Sequence, residues 1–209
     1  MNKSVVDIET VSLAEPATPE AGSEQGQADG DRGALNPLCG RIVCIGMIFL
    51  KNRYEAESGL AVISKDEKVL LQRFWGYVRD RKISSFVAHN GLGFDLPFLW
   101  RRSIINRVKP TLSLDLRRYR SDFIYDTMAI WANWDPRSYP KLDALAAGLG
   151  VGRKSGTGAE VAALWNAERF EDMSRYCLHD CWLTYACYCT MEFAGFVPEE
   201  KIPTSIEVI

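Results

Sequence analysis

The order of the apolar runs along the chain is the feature that most restricts its fold. Short runs rich in β-branched residues predict strands, and runs with apolar residues at helical spacing predict helices. The predicted strands are Ser4–Thr10, Arg41–Leu50, Gly59–Ser64, Ser84–Ala88 and Phe123–Thr127. The predicted helices are Asp66–Tyr77, Phe94–Asn106, Lys141–Leu149, Ala159–Ala167 and Phe170 to about Gly195. A hairpin meander followed by strand–helix crossovers predicts an α/β fold with a mixed five-stranded sheet flanked by helices.

Composition excludes several other classes of protein. The chain has 209 residues, of which 47% are hydrophobic, so it can bury a sizeable core within one domain. Its longest apolar runs, such as Ile42–Leu50, are too short to span a bilayer, and we expect no membrane association. The N-terminus meets Asp7 and Glu9 after one lysine, so we expect no signal peptide. Six cysteines without a CxxC pair indicate reduced, buried thiols and a cytoplasmic protein.

The segment Ala14–Ala34 differs in composition from the rest of the chain. It contains five acids and one arginine among Ala, Gly, Pro, Ser and Gln, and it has no aromatic residue. Such a segment cannot bury enough apolar surface to offset the entropy of ordering it. We therefore predict a single domain over residues 1–209 with a flexible insertion at 14–34. Because the insertion leaves from the first strand, it is a candidate for controlling substrate access or for binding a protein partner.

Two acids lie on the first predicted strand. Asp7 and Glu9 alternate with apolar residues, so on a strand both carboxylates point to one face. Adjacent carboxylates repel each other and are tolerated mainly when a cation neutralises them. A solvated strand face is the alternative interpretation, although Val5, Val6 and Ile8 indicate a core strand.

A third acid, Asp95, follows a predicted buried strand and the loop His89–Gly93. In open α/β sheets, functional sites lie beyond the strand ends, which is where this loop falls. The two glycines of the loop would let a substrate approach closely. The alternative role for Asp95 is an ordinary helix N-cap.

A fourth acid, Asp180, lies four residues after Tyr176, so the two share one face of a helix. Tyr139 and Asp143 have the same spacing, but Pro140 pushes the tyrosine out of helical geometry. The alternative for the first pair is a half-buried tyrosine beside a surface acid.

The four acids make chemical sense as a group. Two hard divalent cations such as Mg²⁺ need carboxylate oxygens, and such a pair promotes phosphodiester cleavage. Tyr176 would then orient the attacking water. The sequence thus favours a two-metal phosphodiesterase centre.

Three motifs carry a resemblance to a known superfamily. They are Asp7-Ile8-Glu9-Thr10, Asn90-Gly91-x-x-Phe94-Asp95-x-Pro97 and Tyr176-x-x-x-Asp180. They resemble the three exonuclease motifs of the tyrosine branch of the DEDD superfamily. Other stretches resemble the predicted 3′–5′ exonucleases related to the proofreading domain of family B DNA polymerases. These stretches are Gly40–Ile45, Arg118–Tyr119, Tyr125–Met128, Gly152–Gly156 and Gly158–Val161.

The resemblance implies a ribonuclease H-like fold, two divalent cations (Mg²⁺ or Mn²⁺) and removal of nucleotides from 3′ ends. It implies that the metal carboxylates are Asp7, Glu9, Asp95 and Asp180. Asp7 would bridge the two ions, and Tyr176 would orient the water. Arg175 stands where the histidine branch would have its histidine, which excludes that branch. No polymerase region follows, so we expect a standalone nuclease.

Residues in and beside these motifs are expected to contact the substrate. They are Thr10, His89, Asn90, Phe94 and Lys154. The formal net charge is −2, so phosphate contacts must come from local basic patches. One such patch is the basic run between Arg101 and Arg120, for which an ordinary solvated surface is the alternative. Asp126 is expected either to support the site or to be structural.

We expect nucleic acid as the partner, with single-stranded DNA 3′ ends favoured over RNA. Two alternatives stay open. One is an exonuclease for RNA or short oligonucleotides on the same fold. The other is a catalytically silent nucleic-acid-binding module, against which the presence of all four carboxylates and Tyr176 argues.

Overall fold

The structure is a computed structural model that describes residues 2–13, 33–154, 156, 158–196, 198 and 203–209. The predicted flexible insertion lies outside the described residues, apart from Gly33 and Ala34, which form a short helical turn. None of the described helices is long and apolar enough to cross a membrane.

A mixed sheet forms the centre of the molecule. Its strands are β1 (Asn2–Ser12), β2 (Gly40–Leu50), β3 (Ala56–Ile63), β4 (Ile83–Ala88), β5 (Ile124–Asp126) and β6 (Thr204–Val208). Their order is β5-β4-β1-β2-β3-β6, and β2 runs antiparallel to its neighbours β1 and β3. The other neighbouring pairs are parallel. The predicted mixed α/β architecture is therefore confirmed.

Six α-helices are described around this sheet. They are α1 (Glu67–Asp80), α2 (Asp95–Ile105), α3 (Thr127–Trp131), α4 (Leu142–Gly148), α5 (Gly158–Asn166) and α6 (Phe170–Met191). Five of them match predicted helices, and α6 ends at Met191, a few residues before the predicted end. The short α3 was not predicted, because it follows β5 directly and its first residue was included in the predicted strand.

The predicted count of five strands is wrong, because the described sheet has six. The additional strand, β6, is short and mostly exposed, so its sequence lacks a strong apolar alternation. It is stabilised by parallel pairing with β3, in which Gly59 stands opposite Thr204. This pairing joins residues far apart in the chain and leaves no local sequence signal.

The central strand β1 is buried on both faces. Val6 and Ile8 pack into the core beneath α1 and α2, whereas Val5 packs among residues of α6 on the opposite face. Asp7 and Glu9 therefore belong, by alternation, to the face that α6 covers. The fold places two carboxylates under its longest helix.

A glycine on β2 allows α6 to lie close to the sheet at this point. Gly46 stands opposite Asp7 in the β1–β2 register. A Cβ atom on Gly46 would lie 2.8 Å from the Cys181 sulfur and 2.9 Å from the Cys177 sulfur. Any larger residue would push the helix away from the acidic strand.

A buried ion pair links α1 and α2 to the start of β2. The side chains of Glu67 and Arg102 are each 6% exposed. The Arg102 Nε donates to Glu67 Oε1 at 2.9 Å, and Arg102 Nη1 donates to the Pro37 carbonyl at 2.8 Å. Glu67 Oε1 also accepts a bond of 2.7 Å from the Ile42 backbone N–H. The pair thus fixes the chain just before β2.

Substituting Glu67→Gln is expected to lower the free energy of unfolding by about 3–5 kcal/mol, because the Arg102 charge stays buried without a counter-charge. Urea unfolding followed by circular dichroism measures this change. The matched control is Arg120→Gln, which breaks the exposed pair with Asp122 and should cost at most about 1 kcal/mol. Equal losses in the two variants would contradict the structural role of the buried pair.

Candidate active site

The two acids of β1 share one face, as their alternation predicts. One oxygen from each of Asp7 and Glu9, together with the Cys177 sulfur, lie within 4.8 Å of one another. Glu9 is 8% exposed, and Asp7 is partly exposed. The last described pairing of β1 with β4 joins Val5 to Val87, so both acids lie beyond the paired part of β4.

Asp95 joins these acids from the start of α2. Its Oδ1 atom accepts a bond of 3.2 Å from the backbone N–H of Ile8, the residue between the two acids of β1. Asp95 is 3% exposed, and the N-cap position of α2 belongs to Phe94. The carboxylate is therefore held against β1 and does not serve as the helix N-cap.

Asp126, at the end of β5, holds the loop that leads to Asp95. Its two carboxylate oxygens accept bonds of 3.0 Å from the backbone N–H groups of Asn90 and Leu92. The glycines of this loop are required by the protein itself, because a Cβ on Gly91 would lie 2.4 Å from the Ala88 Cβ. Asp126 thus supports the site by fixing the loop backbone.

His89 is held by the protein through both of its ring nitrogens. Nδ1 lies 2.9 Å from Thr127 Oγ1, and Nε2 lies 3.1 Å from the Pro140 carbonyl oxygen. Burial lowers the pKa of His89 to about 4, so the ring is neutral. Because a carbonyl only accepts, Nε2 carries the proton. Any contact of His89 with a substrate would therefore come from its ring carbons.

Tyr176 and Asp180 face the β1 acids from α6. The exposed fractions of these two residues are 8% and 3%. Asp180 Oδ2 lies 2.6 Å from the Lys154 Nζ atom, and this ammonium group is 5.2 Å from the centroid of the Tyr176 ring. The other oxygen, Asp180 Oδ1, is buried and has no hydrogen-bond partner within the described part of the chain.

The loop before α5 positions Lys154 through two residues that the sequence did not assign to the site. Asp143 accepts a bond of 2.9 Å from the Lys154 backbone N–H, and His179 Nε2 lies 2.9 Å from the Arg153 carbonyl oxygen. Tyr139 lies at the end of a 3-10 turn, outside the helix that carries Asp143. The predicted distinction between the two tyrosine–acid pairs is thus confirmed.

Among the other predicted contacts, Thr10 is partly exposed and follows Glu9 at a register shift between β1 and β2. The Phe94 ring packs 5.2 Å from the Phe98 ring. The backbone of Asn90 adopts a left-handed conformation, with φ 62°. In the basic run, two arginines are already paired with neighbouring acids: Arg117 with Asp115, and Arg120 with Asp122.

The electrostatics of the site favour bound cations. Burial first, and then the Glu9 carboxylate, raise the pKa of Asp7 well above its ordinary value. Burial and the Asp180 charge do the same to the pKa of Glu9, and burial raises the pKa of Asp95 to about 7. Burial also raises the pKa of Asp180, although Lys154 opposes this rise. Four carboxylates that destabilise one another, with one buried oxygen unpartnered, fit the ligands of hard divalent cations.

The metal-free protein is expected to be more stable at about pH 6 than at about pH 8. A carboxyl group with a raised pKa binds more protons in the folded than in the unfolded state, so stability falls as the pH rises through the folded pKa of about 7 for Asp95. Urea unfolding in EDTA at several pH values measures this slope. Asp95→Asn keeps an acceptor for Ile8 and should reduce the slope, whereas stability that rises between these pH values would contradict the prediction.

The sheet order, the covering helices and the acidic site at the centre define a nuclease of ribonuclease H-like fold. A family profile described as "Predicted 3'-5' exonuclease related to the exonuclease domain of PolB" matches residues 35–208. The chain belongs to this family and is therefore a hydrolase of the 3′–5′ exonuclease class. The matched region includes Asp95, Tyr176 and Asp180 but begins after Asp7 and Glu9, which join the site through the fold.

A solved structure supports the same fold. The family B DNA polymerase from the hyperthermophilic archaeon Pyrobaculum calidifontis superposes with a TM-score of 0.65 at 20% sequence identity. The match covers 92% of this chain and 24% of the polymerase chain, so the similarity concerns about a quarter of that protein. None of the curated proteins compared with the chain matches it.

Proposed function

We propose that this protein removes nucleotides one at a time from 3′ ends of single-stranded DNA, using two divalent cations, Mg²⁺ or Mn²⁺. The observation that carries the proposal is the buried cluster of four carboxylates in which Asp180 Oδ1 has no partner among the described residues. The proposed ligands are Asp7, Glu9, Asp95 and Asp180, with Asp7 shared between the two ions. Residues 1–209 would form one exonuclease domain that carries the 14–34 insertion.

The bound cations would supply Lewis-acid stabilisation of the charge on the phosphate and on the leaving oxygen, and would lower the pKa of the attacking water. The protein's own contribution begins with burial. Glu9, Asp95 and Asp180 are 8%, 3% and 3% exposed, so an intact duplex cannot reach them. An unpaired, frayed 3′ end can, and this supports the preference for single strands.

Tyr176 would position the water. Burial raises the pKa of its hydroxyl, so the group keeps its proton at neutral pH and acts through hydrogen bonds rather than as a base. Its neighbour Lys154 keeps its charge, because the Asp180 carboxylate outweighs the effect of burial and raises the pKa of the amine. On its flexible stem, the Lys154 ammonium would contact the phosphate beside the carboxylates.

The relation to the polymerase exonuclease domain supports DNA as the substrate, and oligonucleotide assays test this directly. Single-stranded DNA, duplex DNA and RNA of one sequence are labelled at either end and incubated with Mg²⁺, Mn²⁺ or EDTA. We expect 5′-labelled DNA to shorten stepwise, 3′-labelled DNA to release labelled mononucleotide at once, and EDTA to stop both reactions.

Each part of the proposal can fail separately in this assay. Internal cuts in 5′-labelled DNA would contradict exonuclease action, and undiminished activity in EDTA would contradict metal dependence. Faster degradation of RNA than of DNA would replace the proposed substrate. An Asp180→Ala variant, purified in the same way, controls for contaminating nucleases.

A further inference from the structure

A buried thiol lies directly against the candidate metal carboxylates. The Cys177 sulfur is 3.6 Å from Asp7 Oδ2 and 3.5 Å from the Asp7 carbonyl oxygen. Cys177 is 0% exposed and forms one of the three donors, with Asp7 and Glu9, whose atoms lie within 4.8 Å of one another. Sulfur contributes nothing to a magnesium site, because Mg²⁺ takes oxygen ligands.

The spacing of these donors suits a different ion. In a tetrahedral zinc site, Zn–S is about 2.3 Å and Zn–O about 2.0 Å, which places a sulfur and an oxygen ligand about 3.5 Å apart. The observed separation between Cys177 Sγ and Asp7 Oδ2 is 3.6 Å. The thiol and the carboxylate can therefore bind one zinc ion without a large movement of α6.

A second observation supplies a further ligand. Asp180 follows Cys177 by three residues on α6, so the two side chains share one helix face. Asp180 is 3% exposed, and its Oδ1 atom is buried without a hydrogen-bond partner among the described residues. With one oxygen each from Asp7 and Glu9, this atom would complete a set of four donors.

We propose that Cys177, Asp7, Glu9 and Asp180 form a binding site for a thiophilic divalent cation, Zn²⁺ above all, that overlaps the proposed magnesium site and inhibits the nuclease. On binding, the Cys177 thiol releases its proton to solvent and a Zn–S bond forms. Four protein ligands close the coordination shell of zinc and leave no position for a substrate. The inhibitory consequence rests on the proposed function, whereas the binding itself does not.

Direct metal binding tests the site without relying on nuclease activity. All variants carry Cys39→Ser, because Cys39 is the exposed cysteine and would bind soft metals by itself. Titration with Cd²⁺ alone should give the ultraviolet charge-transfer absorbance of a cadmium–thiolate bond, saturating at one equivalent. Calorimetry with Zn²⁺ should give at least about tenfold weaker binding in Cys177→Ala than in the parent.

The matched control is Cys181→Ala, which removes another fully buried thiol one turn further along α6. This variant should keep both the cadmium absorbance and the zinc affinity of the parent. Cys177→Ser, which retains the size of the side chain, should lose the absorbance as Cys177→Ala does. Thermal melting of each variant verifies that it is folded.

The proposal is overturned if the cadmium absorbance persists in Cys177→Ala, or if the parent and this variant bind zinc equally. Loss of the absorbance in Cys181→Ala as well as in Cys177→Ala would also overturn the assignment to Cys177. A negative result in the nuclease assay, with the metal-binding result as expected, would refute the exonuclease proposal and leave the zinc site standing.

Discussion

The Asp7→Ala variant is expected to lose nuclease activity by at least about a thousandfold. Removing one shared metal ligand forfeits several kcal/mol of transition-state stabilisation, and each 1.36 kcal/mol is a tenfold change in rate. The same substitution removes a buried charge whose pKa is raised by burial and by Glu9, so the metal-free fold should be equally or more stable. Steady-state cleavage of a single-stranded 3′ end and thermal melting in EDTA measure the two effects.

Asp180→Ala provides an informative comparison. It should abolish activity to a similar extent, but it also leaves Lys154 without its carboxylate partner at 2.6 Å. We therefore expect this variant to melt at a lower temperature than Asp7→Ala. Near-full activity of Asp7→Ala in Mn²⁺ would refute the two-metal centre, while an inactive Asp122→Ala, an exposed acid, would reveal a nonspecific effect.

Tyr176→Phe is expected to lower kcat by roughly 10²–10⁴-fold, the usual contribution of a positioned group that assists proton transfer. Only the hydroxyl is removed, so KM and metal affinity should stay nearly unchanged and the loss should fall on the transition state. Single-turnover rates at saturating Mg²⁺ measure the effect, and calorimetry with Mn²⁺ measures metal binding.

Tyr139→Phe is the matched control, because Tyr139 also precedes an acid by four residues but lies outside a helix. It should leave kcat within a factor of about two, as expected for a surface change. If both tyrosine variants retain full activity, Tyr176 is a packing residue of α6. An equal rise of KM in both would point instead to a general disturbance of the fold.

Local patterns predict the elements of this protein well. Alternation along β1 places Asp7 and Glu9 on one face, and the four-residue spacing of Tyr176 and Asp180 places both on one side of α6. These arguments need only the geometry of a single strand or helix. The motif order then predicts the family, which the profile match confirms.

Contacts between distant segments account for what the sequence does not predict. Lys154 was predicted only as a phosphate contact, yet its ammonium group neutralises Asp180 in the folded chain. The supporting role of Asp143 depends on how the loop before α5 folds back onto α4. Gly46 shows no signal in its own strand, because the reason for a glycine is the helix that packs on it.

The junction between β1 and β2 has a consequence for how this nuclease can evolve. The backbone N–H of Leu13 donates to the Cys39 carbonyl oxygen at 2.7 Å, and Ser12 stands opposite Gly40 in the sheet. The chain therefore leaves and re-enters the sheet at one point, and the entropic cost of the connection grows only by about 0.6 kcal/mol for each doubling of its length. Lineages can lengthen, shorten or exchange this connection without displacing Asp7 or Glu9. The junction is thus a natural position for acquiring new regulatory sequence a few residues from the chemistry.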